Sequence, residues 1–280
     1  MRPKSLILDL LSASDPIPLP TASFLEAARV FKLKENTLRV TLARLVAGGT
    51  LDATRVGTER RYTLSSRSRI LNRHILAAQS LRSKPWRGEW LSIIAWAPGA
   101  GRAARDRLRV VLRVLKLANL QPGVWVRPDN LGLSFEEVLE EFGFRKDVVW
   151  MRGALGHGRE DAALAAGLFD VARQAKAIDG ACRDLRTSMA RLDRLSPGRA
   201  LAETFAVGGR AIKVMFEDPL LPGALLPRGW RGDALRKLFA EYDRLGRLHW
   251  QRALGAPIGD RPAPAIGARS QSAMPILAGI

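Results

Sequence analysis

Residues 35–64, ENTLRVTLARLVAGGTLDATRVGTERRYTL, read as a helix, a glycine stop and a basic hairpin in immediate succession. Leu38, Thr41, Leu42, Leu45 and Val46 recur at helical spacing and draw a narrow apolar stripe. The opposite side carries Arg39, Val40, Ala43 and Arg44. Small residues set between arginines suit a helix that enters a DNA major groove, which is about 12 Å wide. Gly48 and Gly49 supply the left-handed conformation that ends a helix. Upstream, SFLEAARVF places Phe24, Ala27, Ala28 and Phe31 at helical spacing, with Thr21 or Ser23 as its cap and LKEN as the joining turn. Downstream, Leu51 to Leu64 fit two short strands around a turn at Val56–Glu59, with Leu51, Tyr62 and Leu64 available for packing. Arg55, Arg60 and Arg61 lie near the tip, where arginine contacts phosphate or the minor groove. The whole order is that of a winged helix-turn-helix. Asn36, Thr37, Arg39, Val40, Thr41 and Arg44 are its candidate DNA contacts on the helix, and Arg55, Arg60 and Arg61 those on the wing.

Charge agrees with that reading. The 280 residues carry a net charge of +18 and a pI near 11.3, which points to a polyanionic partner. The first 85 residues hold fifteen basic and six acidic side chains, so the excess gathers around the helix and hairpin. A GC-rich genome offers a second account of the arginines in 161–280. Cys182 is the single cysteine, which excludes an intrachain disulfide. The apolar run SLILDLL is too short for a signal peptide and is broken by Asp9, and no 18-residue apolar stretch occurs. A soluble protein of a prokaryotic cytoplasm, without a membrane partner, is expected.

After a basic, helix-like connector at 66–85, strands and helices alternate. A strand is expected at Trp90–Trp96, a helix at 102–119, a strand at 123–128, an acidic helix SFEEVLEEF and a third strand at 147–153. Seventy residues of this alternation predict a small α+β sandwich of ferredoxin-like type. From Glu160 the pattern turns helical, interrupted by the proline-punctuated block EDPLLPGALLPRGWRG at 217–232. The fold class is therefore α+β in four parts. These are a winged helix-turn-helix with its connector (1–85), a ferredoxin-like middle domain (86–160), a helical C-terminal domain (161–255) and a flexible tail (256–280).

The stretch DPLLPGALLPRGWRGDALR resembles the Asp-Pro-x-Leu-Pro and Trp-x-Gly signature of the PaaX-like repressors. NTLRVTLARLVA at 36–47 resembles the recognition helix of that family, and KPWRGEWLSI at 84–93 its Trp-x-Gly-x-Trp segment. The resemblance spans roughly residues 5–255 in the family's order. It implies a dimeric repressor on palindromic operator DNA, released by an aryl-CoA or other acyl-CoA thioester. It also implies a middle domain similar to the small ferredoxin-like endoribonucleases of CRISPR adaptation. Those nucleases carry a metal-binding aspartate at the end of the first strand. Here Ile93, Ile94, Ala95, Trp96 and Ala97 offer no acid, so nuclease chemistry is not expected.

Other constellations carry less. Gly99-Ala100-Gly101-Arg102-Ala103-Ala104 matches the dinucleotide pattern G-x-G-x-x-A, and a nucleotide-binding enzyme is the alternative it raises. Pro98 interrupts the turn, however, and Asp129 stands 28 residues beyond Gly101 where about 20 is usual. His74, His157 and His249 have neither metal-ligand nor base-nucleophile spacing. No catalytic residue, metal or cofactor is expected. Trp86, Trp90, Trp230 and Trp250 can line a pocket for a flat acyl group, with Arg87, Arg228 and Arg231 meeting coenzyme A phosphates. Structural anchoring is the other role for the same tryptophans. A DNA-binding protein that answers to no ligand is the remaining alternative.

Overall fold

The computed structural model describes residues 2–72, 83–95, 101–132, 134–156 and 160–254, with side chains for all of these except 13 and 250–254. The chain divides into two compact units. One comprises Met1–Ala77, Ile178–Phe216 and Asp233–Ile280; the other comprises Ala78–Ala177 and Glu217–Gly232.

The first unit opens with α1 (Pro3–Ser14), where proline at the helix start costs no hydrogen bond because that N–H has no partner in any helix. Leu6, Ile7, Leu8 and Leu11 bury one side of it. The short strand β1 (Leu19–Pro20) leads straight into α2 (Thr21–Val30), and α3 (Glu35–Ala47) follows. Neither Thr21 nor Ser23 caps α2: the helix begins at Thr21 after Pro20, and no side chain accepts a capping hydrogen bond. The Thr21 hydroxyl instead donates to the Arg60 carbonyl at 3.1 Å, stitching the helix start to the hairpin. Strands β2 (Leu51–Val56) and β3 (Glu59–Leu64) form that hairpin, and β1 joins the far side of β3 to give a three-stranded antiparallel sheet in the order β1-β3-β2. Of the two helix-ending glycines only Gly49 is left-handed, at φ +67°, while Gly48 keeps φ −82°. A helix α4 begins at residue 66 and is described through residue 72; residues 73–82 of the expected connector lie outside the described residues.

The C-terminal part of this unit is helical. It contains the later turns of α8 (Val171–Met189), most of α9 (Pro197–Glu217) and α10 (Gly232–Leu254). Gly208 on α9 faces the Tyr242 ring of α10 and Gly246 on α10 faces Thr204 of α9, so small residues let the two helices approach closely. The Tyr242 hydroxyl lies 2.8 Å from the Ser188 hydroxyl, and burial pushes its pKa up to about 12. Phe31, in the turn before α3, packs against Phe205 of α9 with ring centroids 5.0 Å apart.

The second unit is built on a four-stranded antiparallel sheet in the order β5-β6-β4-β7. Its strands are β4 (Trp90–Ala95), β5 (Ala118–Gln121), β6 (Val124–Pro128) and β7 (Val148–Gly153). Helix α5 (Arg102–Val114) connects β4 to β5, and α6 (Phe135–Glu141), capped by the Ser134 hydroxyl, connects β6 to β7. Alternation along the strands separates two cores. Leu91, Ile93 and Trp125 join Leu108, Leu112 and Leu139 of the helices on one face. Trp90 and Val126 join Leu164 and Ala165 of α7 (Asp161–Leu168), with Leu221 and Leu225, on the other.

Two expectations change here. The helix expected through Asn119 ends at Val114, and 118–121 form an edge strand. Lys116 takes a left-handed φ of +62°, which turns the chain back, and Leu117 is buried in the core. A wholly buried Arg127 stabilises that stop: its guanidinium donates to the Leu115 and Lys116 carbonyls at the helix end, as well as to Pro128 O and Asn130 Oδ1. Burial lowers its pKa to about 9, opposed by the charge of Asp129, so Arg127 remains a cation near neutrality. The proline block, expected as an interruption within the helical C-terminal domain, packs in the second unit. There Asn130 Nδ2 donates to Leu220 O at 2.8 Å and to the Ser83 hydroxyl at 2.7 Å.

Candidate nucleic-acid interface

The apolar stripe decides which side of α3 is free. Leu38, Leu42 and Leu45 are buried, and Thr41 and Val46 flank them half-buried. Asn36, Thr37, Arg39, Val40, Ala43 and Arg44 all remain exposed on the other face, with Val40 42% exposed despite being apolar. Glu35 is the only acid of the helix, and it is held by Arg29 at 3.2 Å. Arg39 and Arg44 have no ion pair among the described residues. Thr41 differs from the rest of the set: its hydroxyl donates to Thr37 O at 2.7 Å within the helix, leaving less of it for an outside partner.

The hairpin repeats this division of labour. Leu51 stands opposite Leu64 and Ala53 opposite Tyr62, and Leu51, Tyr62 and Leu64 are buried, with Tyr62 meeting Phe24 edge-on at 5.7 Å. Two residues further toward the tip, the same face places Arg55 directly opposite Arg60. Like charges at facing positions destabilise a strand pair unless something neutralises them. Arg55 Nε donates to Gly57 O at 3.1 Å, and the Arg60 guanidinium rests 5.7 Å from the Tyr62 ring centroid. Arg61 points to the opposite face and is paired with Glu59 at 3.0 Å. Gly57 takes φ +62° in the two-residue turn between Val56 and Glu59, a conformation open to glycine without strain.

The candidate effector residues fall in the second unit. Trp90 is buried, donates its Nε1 to Asp161 Oδ1 at 2.9 Å, and meets Trp86 edge-on at 6.2 Å. Trp86 and Trp230 are half-buried against the same apolar cluster, while Arg87, Arg228 and Arg231 are exposed. The side chain of Trp250 lies outside the described residues, as do His74, His157, Trp96 and residues 99–100 of the 99–104 turn. Of that turn, Gly101 caps α5 in extended conformation with no side-chain cap. Asp129, the residue a ribose would need, is bound by Arg152 at 2.9 Å. Among the described residues no group of three metal-ligating side chains gathers, and no helix is long and apolar enough to cross a membrane.

Two features escaped the sequence reading. One is the Arg127–Asn130 network, whose signal is a lone arginine inside an apolar strand. The other is an open groove of about 620 Å³ along α5, lined in part by Arg105, Arg109 and Arg113, whose signal is arginine at every fourth position.

Comparison with known proteins agrees across both units. A family model for the PaaX protein central Cas2-like domain matches residues 83–165, and one for the PaaX-like protein C-terminal domain matches residues 169–250. The transcriptional repressor PaaX of Escherichia coli (strain K12) is 26% identical over 242 residues, which cover 82% of this chain and 76% of that protein. The solved structure of the uncharacterized protein Rv0674 from Mycobacterium tuberculosis is similar with a TM-score of 0.57 and 25% identity, over 90% of this chain and 98% of that one. With two successive domain models of one family, over residues 83–165 and 169–250, and a relative matched over 76% of its length in agreement, the chain belongs to the PaaX-like family.

Proposed function

We propose that this protein is a DNA-binding transcriptional repressor, a regulator rather than an enzyme, whose α2–α3 pair and β2–β3 hairpin act as a winged helix-turn-helix. The observation that carries the reading is the exposed face of α3, where Arg39 and Arg44 have no ion pair among the described residues, followed by a wing whose tip sets Arg55 against Arg60. In this reading α3 presents Asn36, Thr37, Arg39, Val40 and Arg44 to base edges and phosphates, with Thr41 at its margin. The wing positions the module on the backbone. The middle βαββαβ unit is read as ferredoxin-like and as the dimerisation element. Val149 and Met151, 57% and 55% exposed on the same face of the edge strand β7, support that assignment. A twofold dimer would match a palindromic operator.

Release by an aryl-CoA or acyl-CoA thioester is the regulation the family membership supports, with Trp86, Arg87, Trp90, Arg228, Trp230 and Arg231 as its candidate contacts. A cytoplasmic location goes with it. Gel shift of the DNA upstream of the gene, with and without a panel of acyl-CoA thioesters, tests the whole proposal. Retarded DNA that one thioester frees is expected. DNA retained under every thioester would leave a ligand-independent DNA-binding protein, and no retarded DNA would remove the repressor. Replacing Val149 and Met151 together by lysine should halve the mass in light scattering; an unchanged mass would move the dimer contact elsewhere.

A further inference from the structure

We propose that the middle unit carries a second, sequence-independent contact for duplex DNA, formed by a row of arginines on α5; this rests on the DNA-binding reading above. Arg102, Arg105, Arg109 and Arg113 follow one another at three- and four-residue spacing and so share one face of the helix. Three of them, Arg105, Arg109 and Arg113, line an open groove of about 620 Å³ that Asn119 and Pro122 border on the other side. The floor of that groove is closed, because Leu108, Leu112 and Trp125 beneath it are buried. A visiting molecule meets the Arg105, Arg109 and Arg113 guanidinium groups along one side of the groove, above a largely apolar lining.

Charge and spacing then favour a chain of phosphates over a single anion. Asp106 is the only acid on α5, and it engages Arg109 at 3.0 Å and Arg102 at 3.8 Å. Arg105 and Arg113 have no ion pair among the described residues. With a rise of about 1.5 Å per residue, charges four residues apart recur about every 6 Å along the axis. A lone phosphate calls for donors that converge on one point, whereas these run in series. Phosphates on one strand of a duplex follow at about 3.4 Å along its axis, so alternate phosphates fall near the arginine repeat. The Asn119 amide nitrogen already donates to Gln121 O and Val124 O, so it is not free to donate to a base edge. The contact positions DNA and does not choose its sequence.

The test uses the full-length protein and a long duplex of random sequence, with affinity measured across a salt series. Replacing Arg105, Arg109 and Arg113 together by glutamine should lower the slope of log affinity against log salt by about 2.7 units, at about 0.9 for each of three phosphate contacts. Lysine at the same three positions should keep the slope. These side chains are exposed, so both variants should melt like the wild type. A glutamine variant with the wild-type slope overturns the proposal, as does an equal loss in both variants, which would make shape rather than charge responsible. Arginine-dependent binding of inorganic tripolyphosphate with an unchanged DNA slope would assign the groove to a small polyanion and also overturn it. Failure of the wild type itself to bind any duplex is a separate result, and it would bring down the DNA-binding reading as well.

Discussion

Arg39 carries the sharpest residue-level expectation. It stands exposed in the middle of the free face of α3 with no ion pair among the described residues, so its guanidinium is available to a guanine edge or a phosphate. Arg39→Ala should weaken binding to the cognate operator by roughly 1–3 kcal/mol while leaving random DNA little affected. Equal loss on both duplexes in a titration would reduce Arg39 to a backbone contact. Asp9 carries a different expectation, about stability. It lies half-buried on α1, and burial pushes its carboxyl up to about 7 from 3.8. Because the folded state holds this proton more tightly than the unfolded chain, its stabilising contribution is complete below about 3.8. It is lost as pH rises through about 7. Asp9→Asn should therefore flatten the fall of melting temperature across that window and raise the melting temperature above it. A variant that melts in parallel with the wild type at every pH would show Asp9 to be solvated. Neither residue could be ranked by sequence position alone, since availability and burial both depend on what lies beside them.

At the level of elements, periodicity reads well wherever one face of an element is buried. The stripe of α3 and the alternation of β2 and β3 are consequences of residue order, and each was legible because a period of 3.6 or 2 leaves a trace in the sequence. The stop of α5 was not. Its apolar residues continue past Val114 with no glycine or proline to end them, and the turn is made by Lys116 in a left-handed conformation supported from Arg127, eleven residues away in the chain. The strand β1 was equally hidden, because two residues carry no period and gain their strand character only by pairing with β3. The wing offers a prediction that separates its arginines. Arg60→Gln should lower the salt slope of DNA binding by about one unit. Arg61→Gln should lower it less, because Arg61 faces the other side of the hairpin and is already paired with Glu59. Equal slopes for the two variants and the wild type would remove the wing from phosphate binding.

For the whole molecule, the most informative arrangement is the way distant segments are tied to one another within each unit. In the second, Asn130 receives Arg127 and reaches both Ser83 and Leu220, so the proline block is held to the sheet by one amide. Asn130→Ala should destabilise the protein by on the order of 1–3 kcal/mol for the buried partners it strands. It should also open residues 217–232 to proteolysis; wild-type resistance to both denaturant and protease would make the network dispensable. In the first unit, Phe31 and Phe205 join the turn before α3 to the helical C-terminal segment, 174 residues later in the chain. That contact ties the turn before α3 to α9 by packing alone. The tryptophans show the same dependence on tertiary context. From the sequence, Trp86, Trp90 and Trp230 could equally line a pocket or anchor a core. Only the folded chain placed Trp90 inside a cluster, with its indole N–H spent on Asp161. By itself the sequence determined the helix, glycine and hairpin order of residues 35–64, the face each element buries and the sign of the molecule's charge, because these follow from local period and composition. The tertiary structure alone decided where the proline block docks, where α5 stops and that its arginines border an open groove. Those depend on contacts between residues far apart in the chain, which leave no period to read.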